Sequence, residues 1–223
     1  MNYSEPCQYS IRLIEKLKAL DTKNVLDFDV INKATYWAKK YHGEQKRKSG
    51  EPYYSHPLEV AYMISDYKLK TDVIVASILH DIIEDTEVTA GMILDNFGWR
   101  ITEMVDRLTR DRPDGSKLSV EEVLNNAHQK QDKEVLLIKL FDRLHNLTTL
   151  DAMTDEKKKK IALETLGSFV LLALSIDLTT EQLMTKLCFS YLKLNYFQPS
   201  FSSISSRLKP LELESLKDIM PYT

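Results

Sequence analysis

The sequence predicts an all-α fold, a bundle of about ten helices, on three observations. Apolar residues recur at i, i+3 and i+4, as in KEVLLIKLFDRLHNLTTL (133–150), which is the period of one helix face. No stretch sustains the apolar/polar alternation that a half-buried sheet needs. The segments that break the period carry turn chemistry instead. GEQKRKSGEPYYS holds two Gly, one Pro and three cations, and DRPDGSK (111–117) is a second loop of the same kind.

In chain order the periodicity predicts helices over 8–20, 27–42, 56–68, 71–84, 89–96, 98–109, 118–130, 133–150, 155–175, 179–193 and 208–219. The segment DVIVASILHDII is apolar on nearly every face, as a helix surrounded by protein reads. Ser119, with Glu122 three residues later, is a capping-box pattern that opens the helix at 118–130. The DEKKKK run at 155–160 is expected to be the solvated first turn of its helix rather than a nucleic-acid patch. After Pro199 the composition turns to SFSSISS, a linker to a short amphipathic helix, LELESLKDIM. The expected organisation is an N-terminal helical extension (1–26), one main domain (27–196), and a linker with a short C-terminal helix (197–223).

A chain of 223 residues can bury a full core, and one domain with trimmings is expected. Lys and Arg number 30 against 33 Asp and Glu, so nothing favours bulk binding of nucleic acid, and any phosphate recognition must be local. Cys7 and Cys188 form neither a zinc nor a disulfide-framework spacing. The longest apolar run, FVLLALSI (169–176), is too short to span a bilayer, and the first ten residues lack the apolar core of a signal peptide. A soluble, cytoplasmic protein with no membrane partner is expected.

The chemistry concentrates in ILHDIIEDT (78–86). Asp81, Glu84 and Asp85 are read there as the last turn of a buried helix, where carboxylates have the wrong sign for the helix dipole and repel one another. A cation is needed to make the cluster tolerable. His80 beside Asp81 reads, taken alone, as a core histidine next to a capping acid, and His56-Pro57 reads, taken alone, as an N-terminal cap. The helix at 133–150 adds a third element. Leu137, Leu140, Phe141, Leu144 and Leu147 make its core face, while Lys139, Asp142, Asn146 and Thr149 share the opposite stripe. A merely solvated face would be richer in Lys and Glu, so the mixture suggests a cleft wall. His145 lies off the stripe and is read as a packing residue.

Together RKSGEPYYSHPLEVA, ASILHDIIEDTEVT and LLIKLFDRLHNLTTL resemble the hydrolase domain of the RelA/SpoT alarmone family, a branch of the HD phosphohydrolases. The likeness continues through ETLGSFVLLALSIDLTTEQLMTKLCFSYLKL, similar to the helices that close that domain, and so covers about 27–196. The nucleotide synthetase that follows in the family has no counterpart in this sequence.

The resemblance implies an HD-domain helical bundle and a stand-alone hydrolase. Its substrates would be guanosine 3′,5′-bis(diphosphate) and the pentaphosphate, converted to GDP or GTP and pyrophosphate. It implies that His56, His80, Asp81 and Asp142 bind one Mn2+, an ordinary N/O donor set for such an ion. Glu84 and Asp85 would position and deprotonate the attacking water. Arg47, Lys48 and Ser49 match the family's nucleotide clamp, with the planar guanidinium on the guanine ring. Asn146 and Thr149 match residues lining the nucleotide pocket, and Lys139 serves equally as an internal ion pair or a substrate contact. Tyr54 and Phe141 depart from the family pattern by being larger, which bears on pocket shape. Two alternatives stay open: an HD phosphohydrolase acting on another nucleotide, and an inactive remnant of a bifunctional synthetase/hydrolase. Oligomeric state is not legible.

Overall fold

The computed structural model describes residues 6–112 and 114–193. The helices among the described residues are α1 (Gln8–Leu20), α2 (Phe28–His42), α3 (Ser55–Ile64), α4 (Thr71–Ile78), α5 (Ile82–Asp85), α6 (Ala90–Phe97), α7 (Trp99–Leu108), α8 (Val120–Gln129), α9 (Lys133–Thr148), α10 (Asp155–Ser168), α11 (Val170–Ile176) and α12 (Leu178–Tyr191). Short 3-10 turns follow α3 and α9. Among the described residues there is no strand, and two isolated bridges, Lys46 with Pro52 and Asp111 with Lys117, fasten the two predicted loops. The expected linker and C-terminal helix (197–223) lie outside the described residues.

Local chemistry sets the helix starts. The Asp27 carboxylate accepts from the N–H groups of Asp29 and Val30, both at 3.1 Å. The Ser119 hydroxyl accepts from the Glu122 N–H at 3.1 Å while the Glu122 carboxylate accepts from the Ser119 N–H at 2.7 Å, completing the capping box. The lysines of DEKKKK lie in the first turns of α10, and all but the half-buried Lys158 are exposed.

The described chain forms two compact units that divide after Asp142. In the first, α4 is the central helix and packs against α2, α3 and α7. Every residue from Val73 to Leu79 is buried. Ile31, Ala34 and Ala38 of α2, Leu58, Ala61 and Ile64 of α3, and Val105 and Leu108 of α7 complete this core. Leu13 and Leu17 are the buried apolar residues of α1, which packs on α3. Ile74 is 0% exposed, so Ile74→Ala is expected to cost about 2–5 kcal/mol of unfolding free energy, read from urea unfolding with an unchanged slope.

The second unit holds α10, α11 and α12, packed on one another around Ala162, Phe169, Ala173, Met184 and Cys188. Arg143 lies over the Phe169 ring at 4.6 Å and pairs with Glu164. The helix expected over 155–175 is interrupted at Phe169, just after Gly167-Ser168, a pair that commonly marks a kink.

The helix expected over 71–84 is interrupted as well. Leu79 has φ −104° and ψ 6°, and Asp81 has φ −112° and ψ −1°, both in the bridge region. The Ser77 carbonyl, which a continuing helix would offer to the Asp81 N–H, accepts from His80 Nδ1 at 2.8 Å. Asp81 therefore precedes α5, and Glu84 and Asp85 lie in that single turn rather than at the end of α4.

Candidate metal and catalytic site

Three segments far apart in sequence converge in the first unit. His56 comes from the first turn of α3, His80 from the break after α4, and Asp142 from α9. One ligand atom from each of the three lies within 4.8 Å of the others. His56 Nε2 is 3.1 Å and His80 Nε2 3.8 Å from Asp142 Oδ1. These are the separations expected of donors around one ion. His80 donates Nδ1–H to the Ser77 carbonyl, which directs Nε2 at the centre, the usual arrangement of a ligating imidazole. Lys139, one turn before Asp142, is buried with its Nζ 3.7 Å from Asp142 Oδ2, so of its two expected roles the internal ion pair is the one seen.

The electrostatics are those of a buried centre. Burial disfavours the His56 imidazolium and holds its pKa below the ordinary value, against the raising influence of Asp142. Burial also opposes charge on His80, but Asp81 and Asp142 override it and push that group up to about 9. Burial alone would raise both carboxyls. For Asp142 it is outweighed by hydrogen bonds from His56 and His80, and for Asp81 by the neighbouring imidazoles, so both lie well below the usual carboxylate range.

Asp81 sits beside this set, not within it. Its Oδ1 faces His42 Nε2 at 3.3 Å, without hydrogen-bond alignment. Among the described residues, His42 Nε2 and both Asp81 oxygens are buried with no hydrogen-bond partner. Unpartnered buried oxygens are costly, and here the imidazoles of His80, His42 and His56 act on them. The donor set thus fits a divalent cation on two grounds: its N/O chemistry and the unmet valence of Asp81.

The two remaining acids are offset by the protein itself. Glu84 Oε1 accepts from the Arg110 N–H at 2.6 Å, and Oε2 accepts from Lys117 Nζ at 3.2 Å. Lys117 also pairs with Asp111 at 2.7 Å. The DRPDGSK loop therefore grips Glu84. Asp85 Oδ2 accepts from the Tyr53 hydroxyl at 2.7 Å. Lost hydration raises the Asp85 pKa, Tyr53 draws it back, and Asp81 and Glu84 add to the rise.

The RKSG loop turns tightly after α2. Gly43, at φ +50° and ψ −124°, takes a conformation that a side chain would strain. The Tyr53 N–H reaches the Gln45 carbonyl at 2.8 Å, and Arg47 N–H reaches the Glu51 carbonyl at 2.9 Å. The Arg47 guanidinium is 5.8 Å from the Tyr53 ring centroid. Lys48 is exposed, and Ser49 donates to the Glu51 carboxylate. Asn146 and Thr149 belong to the second unit, where the Thr149 hydroxyl lies 3.4 Å from the Asn146 carbonyl. The enlarged rings have partners: Tyr54 meets Tyr9 edge-on at 6.3 Å, and Phe141 meets Tyr67 at 5.4 Å.

Sequence reasoning missed His42, Gln45, Tyr53 and Lys117. The signal available for the first three was their position flanking RKSG, and for Lys117 the turn chemistry of its loop.

An all-helical fold that gathers a histidine, an adjacent histidine–aspartate pair and a distant aspartate in one buried place defines a metal-centre domain of the HD type. The chain belongs to the HD domain family, whose sequence profile matches residues 34–175. It is similar to a GTP pyrophosphokinase of Myxococcus xanthus, 39% identical over 197 residues, which cover 83% of this chain and 26% of that protein. It is also similar to a guanosine-3′,5′-bis(diphosphate) 3′-pyrophosphohydrolase of Aquifex aeolicus, 32% identical over 218 residues, 95% of this chain and 31% of that protein. A probable enzyme of the same name from Mycoplasma pneumoniae is 34% identical over 190 residues, 80% of this chain and 26% of that one. The chain thus spans between 26% and 31% of the length of these curated relatives. Among solved structures, a metazoan ortholog of SpoT, described as hydrolysing ppGpp, shares the fold with a TM-score of 0.51. It is 22% identical, and the match covers 86% of this chain and 99% of that one.

Proposed function

We propose that this protein hydrolyses guanosine 3′,5′-bis(diphosphate) and the corresponding pentaphosphate at the 3′ position. Water adds to the phosphorus bonded to O3′, the P–O3′ bond breaks, and pyrophosphate leaves. The nucleoside keeps O3′, which takes up a proton to become the 3′ hydroxyl of GDP or GTP. The observation that supports this most is the meeting of His56, His80 and Asp142 from three separate segments, with the unpartnered Asp81 carboxylate beside them. Relatives whose names specify this hydrolysis support the choice of substrate.

In this reading the four residues hold one Mn2+. A bound divalent cation lowers the pKa of a water in its shell and draws charge from a phosphoryl oxygen. His56 and His80 supply neutral nitrogen donors, and Asp81 and Asp142 supply anionic oxygens. Glu84, steadied by Arg110 and Lys117, accepts the proton that the attacking water loses, and Asp85, held by Tyr53, orients that water. Arg47 stacks on the guanine, Lys48 attends the phosphates, and Ser49 braces the loop through Glu51.

Turnover with Mn2+ tests the reading, followed as pyrophosphate release from the guanosine substrates and from an adenosine alarmone, and as orthophosphate release from a nicotinamide dinucleotide 2′-phosphate. Faster turnover of either competitor overturns the substrate, and no turnover of any nucleotide overturns the activity. Arg47→Ala is expected to weaken nucleotide affinity by about 1–3 kcal/mol, the range of a base-stacking contact, with Mn2+ content unchanged. Calorimetric titration of the nucleotide checks it, and an unchanged affinity removes Arg47 from the clamp.

A further inference from the structure

We propose that His42 is a positioning residue for the metal centre, holding Asp81 so that one carboxylate oxygen rests against the imidazole and the other is left for the cation. The proposal rests on the reading of Asp81 as a metal ligand and adds a residue outside that donor set.

Contacts with Gln45, Tyr53 and Asp81 fix the ring. His42 is the last residue of α2 and its side chain is 0% exposed. Gly43 turns the chain back at once, and the Gln45 N–H bonds the His42 carbonyl at 2.9 Å, which brings the Gln45 side chain alongside the imidazole. Gln45 Nε2 donates to the Asp85 backbone carbonyl at 2.9 Å. That bond determines which end of the amide faces the ring: Oε1 lies 3.2 Å from His42 Nδ1, so Nδ1 carries a hydrogen, and a ring that also holds the Asp81 carboxylate through Nε2 carries one there too, as the imidazolium. Tyr53 stacks on the ring face, centroids 4.8 Å apart and planes within 26°, while its hydroxyl is tied to Asp85. With one edge and one face committed, the ring cannot rotate. Its Nε2 edge is presented to Asp81 Oδ1 at 3.3 Å.

Both oxygens of this buried carboxylate lack a hydrogen-bond partner among the described residues; His80 and His56 act on it as neighbouring charges, and His42 is the ring in ion-pair contact with it, at 3.3 Å. Metal ligands are commonly aligned by such outer partners, whose loss costs affinity without removing a donor. The same clamp joins the centre to the nucleotide loop, because Gln45 and Tyr53 flank RKSG.

The test is Mn2+ affinity of the full chain, by electron paramagnetic resonance of the free ion, with the metal-free melting temperature measured in parallel. His42→Leu is expected to raise the Mn2+ Kd roughly 10- to 100-fold. His42→Gln keeps an N–H near the Nε2 position and is expected to restore most of that affinity. A merely space-filling role would be served at least as well by leucine. Gln45 is exposed, so Gln45→Ala preserves the fold and provides a second arm, expected to weaken Mn2+ binding several-fold by freeing the ring. Wild-type affinity in both His42→Leu and Gln45→Ala overturns the positioning role while leaving the metal reading intact. Equal loss in the leucine and glutamine variants also overturns it. Failure of the wild-type chain to bind Mn2+ overturns the metal reading, and the role of His42 with it.

Discussion

Glu84→Gln is expected to lower the single-turnover rate of pyrophosphate release by roughly 10²- to 10⁴-fold, the usual cost of losing a general base, with Mn2+ content and nucleotide affinity nearly unchanged. The geometry favours a clean substitution. Glutamine keeps the size, and its oxygen can still accept from the Arg110 N–H that now meets Oε1 at 2.6 Å. Its NH2 end would face Lys117, but that side chain is 49% exposed and already has Asp111 as a second partner at 2.7 Å, so it can withdraw. What glutamine cannot do is take a proton from water near neutral pH. A variant that turns over at the wild-type rate moves the base to Asp85, whose raised pKa already suits that task, and Asp85→Asn then becomes the decisive substitution.

The helical periodicity was readable because it follows from which face each helix buries, and α1, α2, α7 and α9 fall where the pattern puts them. The break at Leu79–Asp81 was not readable. Apolar residues run on through Ile82 and Ile83, so hydrophobicity registers burial on both sides of the break and is blind to the His80 ring taking the Ser77 carbonyl. The charge conflict in ILHDIIEDT is legible in the sequence, but the partners that relieve it are not. Reading all three acids as one cluster at a helix end suggested a single cation as the remedy. In the structure Glu84 has Arg110 and Lys117, Asp85 has Tyr53, and of the three acids only Asp81 has buried oxygens without hydrogen-bond partners among the described residues. Contacts of this kind join residues remote in sequence, and no local pattern encodes them. His42 was passed over for the same reason: at the end of an ordinary amphipathic helix its meaning depends on Asp81, Gln45 and Tyr53 arriving together.

The metal ligands give the other large effect. Asp142→Ala is expected to abolish Mn2+ binding and with it all turnover, because Asp142 Oδ1 is the atom on which both imidazoles converge, at 3.1 and 3.8 Å. The thermal-shift readout follows from linkage. A ligand that binds only the folded state stabilises it by RT ln(1 + [L]/Kd), about 2.7 kcal/mol at a hundredfold excess over Kd, so wild-type protein should melt at a higher temperature with Mn2+ and the variant should not. Loss of Asp142 also leaves Lys139 and His80 without their shared anion, so the metal-free variant should itself melt lower than metal-free wild type. Asp142→Asn separates the two consequences: it retains the side-chain volume and a hydrogen-bonding oxygen but removes the anionic donor. The asparagine variant should therefore fold more stably than the alanine variant and still show no Mn2+ shift. A full Mn2+ shift in either variant would mean that the ion, if it binds at all, is held elsewhere, and that the meeting of His56, His80 and Asp142 is a charge network of the core.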